Sequence, residues 1–335
     1  MKFKDLDGFG SLGKVAYDFD LNTCSDDDIM RLGWEVYNQL VVLVPAEFAS
    51  VSPERYHYVT TLWGDGVISH ALPRLMERVE RDGWTDVHKE TYQDMMRMTQ
   101  GVQHLPGIIR VTGKPDESGN HTGMFADGEL DWHSNQQSDI DGVAPLIGLQ
   151  AIEGTRGSRT DFLNLYDAYN DLDPDTKSEV DEVITINSFG YDKVSRGTTE
   201  GQVQITNLSL VPDDGSEQPI VATAPCGKKG LHFPWTSVVG FKGYTHEEFK
   251  RLFNHLIKHC LNPKYQYYHD WTDGDIVWMD QIITLHRRPG DETRKRLLLR
   301  MCSNFKIIEQ RIEDHKRKLE EAAKEKGKDG NSYLI

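Results

Sequence analysis

The 335-residue sequence predicts a mainly β fold with flanking helices, of the double-stranded β-helix (jelly roll) type. Two observations predict this fold class. From Leu105 onward, short strand-like segments recur and end at glycines or polar turns, as at Ile108–Val111 and Leu146–Ile152. Strands and helices also do not alternate regularly, which argues against a parallel sheet with crossover helices. Short strands without such crossovers are typical of two facing sheets.

The elements before this core are predicted to be largely helical. Ser25 precedes three aspartates, a pattern typical of a helix N-terminus because carboxylates are favoured at the positive end of the helix dipole. The apolar stripe of this helix consists of Ile29, Leu32, Val36 and Leu40. Val41–Val44 follows as a short apolar run that predicts a buried strand. A second helical stripe comes later, at Leu72, Leu75, Met76 and Val79.

Within the core the sequence predicts further strands and short helices. Residues 162–172 have the pattern of a short helix, and Asp173-Pro174 opens another. Strands are predicted at 203–210 and 220–223. Thr245 and Glu248 form a capping box, which starts a helix that ends before Asn262-Pro263. Its predicted apolar face consists of Phe249, Leu252, Phe253, Leu256 and Ile257.

The last part of the chain returns to strand at 274–287 and 295–303, and then becomes a Lys/Glu-rich helix at about 308–326. We expect Ile308, Ile312 and Leu319 to pack this helix. Neither an internal repeat nor a domain-separating linker is present in the sequence. The prediction is therefore one domain over residues 1–335, with a β core at about 105–305.

Charge and composition exclude several classes of partner. The formal net charge is −15, from 38 basic and 53 acidic residues, which argues against nucleic acid or an anionic membrane as partner. No apolar run approaches the roughly 18 residues of a transmembrane helix, and the N-terminus lacks the apolar core of a signal peptide. The four cysteines have no CxxC spacing, so neither disulfides nor a thiolate zinc site is expected. We expect a cytoplasmic protein with a small-molecule substrate, and a homo-oligomer is left open.

Two histidines on strand-like segments indicate a metal centre. His133 lies in the segment from Gly128 to Asn135, and His286 ends the segment that begins at Gly274. Two histidines and one carboxylate on one face form the iron(II) site of non-haem oxygenases, which leaves positions open for a co-substrate and O₂. Residues two apart on a strand point to the same side, so position 135 can share the face of His133. That position holds an asparagine.

Two arginines follow the second histidine and are suited to bind a carboxylate. Arg296 and Arg300 have the same parity on the returning strand, while Leu297 and Leu299 take the alternate face. The planar guanidinium group matches a carboxylate with two hydrogen bonds. Arginines that face a cavity are costly unless they meet an anion. This pattern favours a 2-oxoacid as co-substrate, with its distal carboxylate bound by arginine.

The two histidine segments, followed by the two arginines, resemble the taurine/2,4-D (TauD/TfdA) type of iron(II)- and 2-oxoglutarate-dependent dioxygenases. The resemblance covers roughly residues 105–305 and, more loosely, the N-terminal part. Trp132–Asn135 stands where the family writes Trp-His-Thr-Asp. Thr160 stands where the family places a threonine that binds 2-oxoglutarate, and Gly274–Gln281 is similar to the family's Gly-Asp-hydrophobic-x-hydrophobic-Trp-Asp-Asn segment. Arg296 and Arg300 fall close to the family's arginine pair, with one residue deleted in the connecting loop.

The resemblance implies a function and a set of site residues. It implies a double-stranded β-helix that uses Fe(II) and 2-oxoglutarate, and that releases succinate and CO₂ as a substrate is oxidised by molecular oxygen. His133 and His286 are then metal ligands, with Asn135 in the third place. By the same resemblance, Thr160 and Arg296 bind 2-oxoglutarate. Arg300 assists the co-substrate or anchors an anionic group of the substrate.

Asn135 departs from the family pattern, in which Asp or Glu stands at this position and halogenating relatives carry Gly or Ala. Three interpretations follow from it. Asn135 ligates the metal or lines an open position in an active enzyme; another carboxylate, Asp131 or Asp139, takes over; or the site is weakened. The functions left open are a hydroxylase, a halogenase or other oxidase that uses an open position at Asn135, and a non-catalytic metabolite-binding protein on the same fold.

The residues before His133 suggest a substrate class. Glu129 and Asp131 have the strand parity of His133, and Arg300 is predicted to lie across the cavity from them. Acidic groups that face an arginine suggest that the substrate is a zwitterion, because such a molecule carries both a positive and a negative group. The hypothesis is a hydroxylase of a small polar metabolite, such as an amino acid, with Glu129, Asp131 and Arg300 contacting it.

Overall fold

The computed structural model describes residues 1–67, 71–86, 101–115, 129–135, 144–187, 216–290 and 296–330, together with scattered positions between 88 and 123. The helices of this part are α1 Asp26–Gln39, α2 Ala46–Ala49, α3 Pro53–Thr61, α4 Ala71–Asp82, α5 Leu165–Asn170, α6 Pro174–Asp181, α7 His246–Cys260 and α8 Lys306–Gly330, with a 3-10 turn at Pro263–Tyr265. No helix among these residues is long and apolar enough to cross a membrane.

Sixteen strands are present in the same part of the chain. They are β1 Lys2–Asp5, β2 Lys14–Tyr17, β3 Val41–Val44, β4 Ile108–Thr112, β5 Leu130–His133, β6 Leu146–Glu153, β7 Arg159–Asn164, β8 Ile184–Asn187, β9 Ser216–Pro219, β10 Val221–Thr223, β11 Lys229–Leu231, β12 Val238–Phe241, β13 Gln266–Asp270, β14 Ile276–Asp280, β15 Thr284–Arg288 and β16 Leu297–Ser303.

Two sheets dominate the architecture. The large sheet has the order β1-β2-β3-β14-β6-β16-β4, and the small sheet has the order β13-β7-β15-β5. Every neighbouring pair in them is antiparallel except β2 and β3. Strands β4 to β7 and β13 to β16 alternate along the chain between the large and the small sheet. This alternation confirms the predicted double-stranded β-helix.

Three buried clusters follow from the alternation of side chains along the strands. One fills the space between the two sheets and includes Leu149 of β6, Leu298 of β16 and Phe162 of β7. A second packs the outer face of the large sheet against α1, α3 and α8, with Leu299 among its members. A third packs the outer face of the small sheet against α5, α6 and α7, with Leu163 among its members. Each sheet is therefore buried on both faces.

The predicted helix starts and buried strands are confirmed. Ser25 and Asp173 cap α1 and α6 by accepting a hydrogen bond from a backbone N–H, and both halves of the capping box of Thr245 and Glu248 are formed at α7. Caps of this kind stabilise a helix by about 1 kcal/mol each. Helix α7 ends at Cys260, and Phe249, Leu252 and Leu256 are buried on one face. The predicted strand at 203–210 lies outside the described residues.

The helix predicted over 162–172 is wrong in its first part. Arg159–Asn164 is strand β7, paired on one side with β13 and on the other with β15, and the helix begins only at Leu165. Phe162 points between the sheets whereas Leu163 points outward, so these adjacent apolar residues belong to two different cores. Pairing on both sides of a central strand outweighs the local helical pattern. Asn164 then caps the helix by accepting from the N–H of Asp167.

Two apolar residues expected to pack helices are exposed instead. Leu319 of α8 is 58% exposed, because α8 packs on the body through its first turns, where Ile308 is buried and Ile312 partly so. Met76 of α4 is 41% exposed, although Leu75 beside it is fully buried. Leu319 and Met76 therefore do not belong to the buried faces of their helices.

A tight turn joins β13 to β14 and explains the Gly-Asp pair of the sequence. Gly274 has φ +101°, and a Cβ there would lie 2.4 Å from the hydroxyl of Ser50. The carboxylate of Asp275 accepts from the backbone N–H of Ala46 at 2.7 Å and from that of Thr272 at 2.8 Å. The turn is therefore fixed against the chain that enters α2.

Candidate active site

The two predicted metal-binding histidines are neighbours in the small sheet. His133 ends β5, and His286 lies in the middle of β15, directly opposite it in the antiparallel register. Their ring centroids are 4.2 Å apart. A register shift between His286 and Arg288 alters the pairing at this point. The fold thus brings together two residues that are far apart in the chain.

Burial keeps both imidazoles neutral. Burial, assisted by the nearby arginines Arg300 and Arg288, lowers the pKa of His133 to about 4. Burial also lowers the pKa of His286 well below its usual value, assisted by His133 and Arg300. Because a metal ion binds the unprotonated imidazole, both rings are in the ligand form at neutral pH.

The hydrogen bonds of each ring place its lone pair on the same nitrogen, Nε2, although in His286 that lone pair already faces the amide of Asn135. Nδ1–H of His133 donates to the backbone carbonyl of Asp131 at 2.7 Å. Nε2 of His286 lies 3.3 Å from the amide nitrogen of Asn135, which can only donate, so Nε2 accepts there. In both rings the lone pair is therefore on Nε2. A backbone carbonyl that holds the other nitrogen is a common way to orient a histidine ligand.

Asn135 lies beside the histidines but its amide is already engaged. The side chain is buried, and its carbonyl oxygen accepts a hydrogen bond from the guanidinium of Arg300. Its amide nitrogen faces His286, and its backbone N–H donates to Oε1 of Gln281 at 2.9 Å. In this orientation the residue turns its only ligand atom, the carbonyl oxygen, toward an arginine. Its role as a metal ligand stays a prediction.

The large sheet contributes the predicted arginines from the opposite side of the cavity. Arg296 and Arg300 are 3% and 8% exposed, and both line the cavity together with Leu298 between them. Leu299 points to the other face of the sheet, as the alternation predicts. Thr160 of β7 also lines the cavity, and its side chain is buried. One cavity therefore contains both histidines, Asn135 and the three predicted anion-binding residues.

Arginines dominate the polar lining of this cavity. The described lining residues are Val111, Leu130, His133, Asn135, Leu149, Thr160, His286, Arg287, Arg288, Arg296, Leu298 and Arg300. Arg287 and Arg288 were missed by the sequence reasoning. Arg288 has the strand parity of His286, and this signal was sufficient to place it in the cavity. No acidic side chain belongs to the lining within the described part of the chain.

The predicted acidic residues are placed differently from the histidines. Neither Glu129 nor Asp131 belongs to the described lining. The carboxylate of Asp131 accepts from the backbone N–H of Trp132 at 2.8 Å, and burial raises its pKa. Asp139 lies outside the described residues. The proposed substrate contacts of Glu129 and Asp131, and the alternative of Asp131 or Asp139 as metal ligand, stay predictions.

The residues present fit a metal ion at two of the three family positions. His133 and His286 line one cavity, and both rings are neutral. No cluster of three His, Cys, Asp or Glu side chains suited to a metal occurs in the described ranges. The residues that would hold a metal ion are therefore two imidazoles beside an amide, and the charged groups near them are arginines.

A comparison with protein families decides the class of this chain. Residues 3–302 match the family described as taurine catabolism dioxygenase TauD, TfdA family. The chain belongs to the TauD/TfdA family. This match extends well beyond the segments that carried the resemblance, because it includes the N-terminal strands and helices.

Relatives and solved structures agree with this assignment. Pentalenolactone F synthase of Streptomyces avermitilis is 26% identical over 210 residues, 59% of this chain and 68% of the relative. The (S)-phenoxypropionate/alpha-ketoglutarate-dioxygenase of Sphingobium herbicidovorans is 26% identical over 176 residues, 51% and 61% of the two chains. A taurine dioxygenase from Burkholderia xenovorans superposes with a TM-score of 0.61 at 16% identity, covering 90% of this chain and 88% of that one. AAD-2 in complex with Mn(II) and N-oxalylglycine superposes with a TM-score of 0.62 at 18% identity, covering 90% and 96%.

Membership of the TauD/TfdA family makes this chain a dioxygenase that depends on iron(II) and 2-oxoglutarate. Its partners are accordingly a small-molecule substrate and molecular oxygen. The predicted fold, enzyme class, cofactor and co-substrate are thereby confirmed. The departure of Asn135 from the family's carboxylate is a property of this chain.

Proposed function

We propose that this TauD/TfdA enzyme hydroxylates a small polar metabolite that carries an acidic group, an amino acid or similar zwitterion being the simplest case. The observation that supports this proposal is the arginine-rich lining of the cavity that contains the two histidines. Buried guanidinium groups are favourable where they meet anions. The taurine and phenoxypropionate dioxygenases among the similar proteins are named for substrates that are acids.

The residues of the cavity divide into three roles under this proposal. Nε2 of His133 and of His286 hold iron(II), beside Asn135 in the third place. Thr160 and Arg296 bind the distal carboxylate of 2-oxoglutarate, and Arg300 anchors an anionic group of the co-substrate or of the substrate. When bound, the iron activates dioxygen, and 2-oxoglutarate is converted to succinate and CO₂ as a C–H bond is oxidised. The apolar side chains Val111, Leu149 and Leu298 limit water between these groups.

A matched substrate panel tests this proposal. Succinate release is measured with amino acids, with their N-acetyl derivatives and with their carboxamides, each against a reaction without substrate. We expect turnover to require the free carboxylate, because the described cavity lining offers arginines for it. If acetylation of the amine also abolishes turnover, and Asp131→Asn lowers it, the zwitterion is recognised at both ends. Turnover of carboxamides alone would contradict the proposal.

A second candidate is halogenation, or another oxidation that needs an open position at the metal. The observation in its favour is the hydrogen bond from Arg300 to the carbonyl oxygen of Asn135, which leaves a neutral side chain and a cation beside the histidines. Such a place suits a chloride ion. Reactions with and without chloride distinguish the candidates, because only halogenation gives a chlorinated product that disappears with the ion.

The variant Asn135→Asp distinguishes the same candidates from the protein side. A carboxylate beside a divalent cation is stabilised in its charged form, so we expect tighter iron binding. A hydroxylase with a weakened site would gain succinate release, whereas an enzyme that uses the open position would lose its halogenated product. Iron affinity and product mass are the measurements. If neither changes, position 135 does not face the metal.

A further inference from the structure

The hydroxyl of Thr160 is held by a buried tryptophan outside the described cavity lining. Nε1–H of Trp271 donates to Oγ1 of Thr160 at 2.9 Å. Trp271 is 2% exposed and directly follows β13, which pairs with the strand of Thr160. Its backbone N–H also donates to the carbonyl of Ser158 at 3.0 Å. Trp271 is thereby held by one side-chain and one backbone hydrogen bond, to Thr160 and to Ser158.

This contact determines what the hydroxyl of Thr160 can do. An indole N–H is a donor only, so the threonine oxygen accepts from it. The single hydroxyl hydrogen is then left for an acceptor elsewhere, and the described residues supply none. Thr160 lines the cavity, so this hydrogen is available to a bound ligand. A carboxylate, which only accepts hydrogen bonds, is the matching group.

A chain of buried polar groups fixes the indole in turn. The ring of His269 packs edge-on against Trp271, with centroids 4.5 Å apart and an interplanar angle of 84°. Nδ1 of His269 lies 3.0 Å from the hydroxyl of Tyr267, and Nε2 lies 3.2 Å from the carboxylate of Asp275. That carboxylate is held by the backbone N–H groups of Ala46 and Thr272. Trp271 therefore has little freedom to turn away from Thr160.

We propose that Trp271 is a positioning residue that directs the hydroxyl of Thr160 at the distal carboxylate of the 2-oxoacid. This inference rests on the proposed role of Thr160 as a co-substrate contact. Its consequence is selectivity. The bond between Trp271 and Thr160 favours 2-oxoglutarate over a 2-oxoacid of equal length without the distal carboxylate, such as 2-oxopentanoate.

The chain contains a matched control for this contact. Nε1–H of Trp278 donates to Oγ1 of Thr60 at 3.0 Å, and both residues are fully buried. This second pair lies in the core between the large sheet and the helices, and neither residue belongs to the described cavity lining. Trp271→Phe and Trp278→Phe therefore remove the same kind of hydrogen bond, one beside the cavity and one remote from it.

The experiment measures the dissociation constants of 2-oxoglutarate and 2-oxopentanoate by calorimetry on the Mn(II)-loaded protein. We expect Trp271→Phe to weaken binding of 2-oxoglutarate by about 3- to 10-fold, the effect of one hydrogen bond, and to leave 2-oxopentanoate unchanged. Trp278→Phe should change neither. In a Thr160→Val background, Trp271→Phe should have no further effect on 2-oxoglutarate.

Three outcomes would overturn the inference. Equal weakening of both 2-oxoacids would mean that Trp271 merely supports the shape of the cavity. Unchanged 2-oxoglutarate binding in Trp271→Phe, while Arg296→Leu weakens it, would refute the role of Trp271 and leave the proposed function standing. Unchanged binding in both variants would refute the proposed co-substrate site itself. If Trp271→Phe does not fold, benzothienylalanine at position 271 keeps the ring shape, lacks the N–H, and is measured in its place.

Discussion

The two sheets that enclose the cavity contribute different groups to it. The small sheet supplies the histidines His133 and His286, which burial keeps neutral, together with Thr160. Arg287 and Arg288 of the same sheet also line the cavity, beside the histidines. The large sheet supplies Arg296 and Arg300, which are charged at any physiological pH. Apolar residues such as Leu149 and Leu298 surround these arginines on their own sheet.

The imidazoles and the guanidinium groups differ in what their burial costs. Neutral imidazoles lose little when they are buried, and they gain a partner when a metal ion binds. Buried guanidinium groups are costly unless they meet an anion, and under the proposed function the dicarboxylate co-substrate would be that anion. Metal affinity should therefore depend mainly on the small sheet, and co-substrate affinity mainly on the large one. Substitutions in each sheet test this division.

The largest effect is expected on the small sheet. His133→Ala and His286→Ala should each abolish iron binding while the fold is retained, because only one imidazole remains. Iron content and the melting temperature are the measurements. His232→Ala is the matched control, since burial also lowers the pKa of this histidine and it lies outside the described cavity lining. Normal iron content in either site variant would show that the metal is bound elsewhere.

On the large sheet, Arg296→Leu should act on the co-substrate alone. We expect binding of 2-oxoglutarate to weaken by about 2–5 kcal/mol, because the distal carboxylate would remain buried without its charged partner. Iron affinity in the absence of 2-oxoglutarate should be unchanged. Calorimetry of both ligands tests this, with the exposed salt-bridge residue Arg251→Leu as control. If the variant loses iron instead, metal affinity depends on the large sheet as well as on the small one.

How far the sequence could predict these features depends on how local their signals are. The capping box at Thr245 is local and was predicted fully. The strand at Arg159–Asn164 was partly mistaken for helix, because its identity comes from pairing on both sides. The contact between Asn135 and Arg300 joins the two sheets, so it exists only once the sheets face each other. Parity along strands was sufficient to place Arg296 and Arg300 in the cavity, but not to find their partners.

A third prediction concerns a buried charge at the end of β14 in the large sheet. Burial raises the pKa of Asp280 to about 7, although its carboxylate accepts from the N–H groups of Ile282 and Ile283. An acid whose pKa is higher in the folded state stabilises the fold below its unfolded pKa, and this contribution is lost as pH rises toward 7.

The variant Asp280→Asn isolates this effect, because an amide keeps the accepting oxygen and does not ionise. We expect the stability of the wild type relative to Asp280→Asn to fall by on the order of 2 kcal/mol between pH 5 and pH 8. Urea unfolding at the two pH values measures it. A difference that is constant or rises with pH would show that Asp280 remains ionised in the folded state.

The smallest effect on binding is expected for Thr160, which belongs to the small sheet. Thr160→Val removes one hydroxyl and nearly preserves the shape of the side chain, so 2-oxoglutarate should bind more weakly by on the order of 1 kcal/mol. Thr160→Ser, which keeps the hydroxyl, should retain most of the affinity. Calorimetry of both variants tests this. A loss as large as that of Arg296→Leu would mean that the two sheets share the co-substrate more evenly.

The hydrogen bond between Asn135 and Arg300 has a thermodynamic consequence of its own. Asn135 also touches His286, so one amide links a predicted metal ligand to a predicted anion-binding arginine. If Asn135 holds the metal through its amide oxygen, metal binding would release Arg300, and an anion that binds Arg300 would free the amide. The two binding equilibria are then coupled, and each ligand alters the affinity of the other by the same factor. In this enzyme, cation and anion would bind cooperatively through a single neutral side chain.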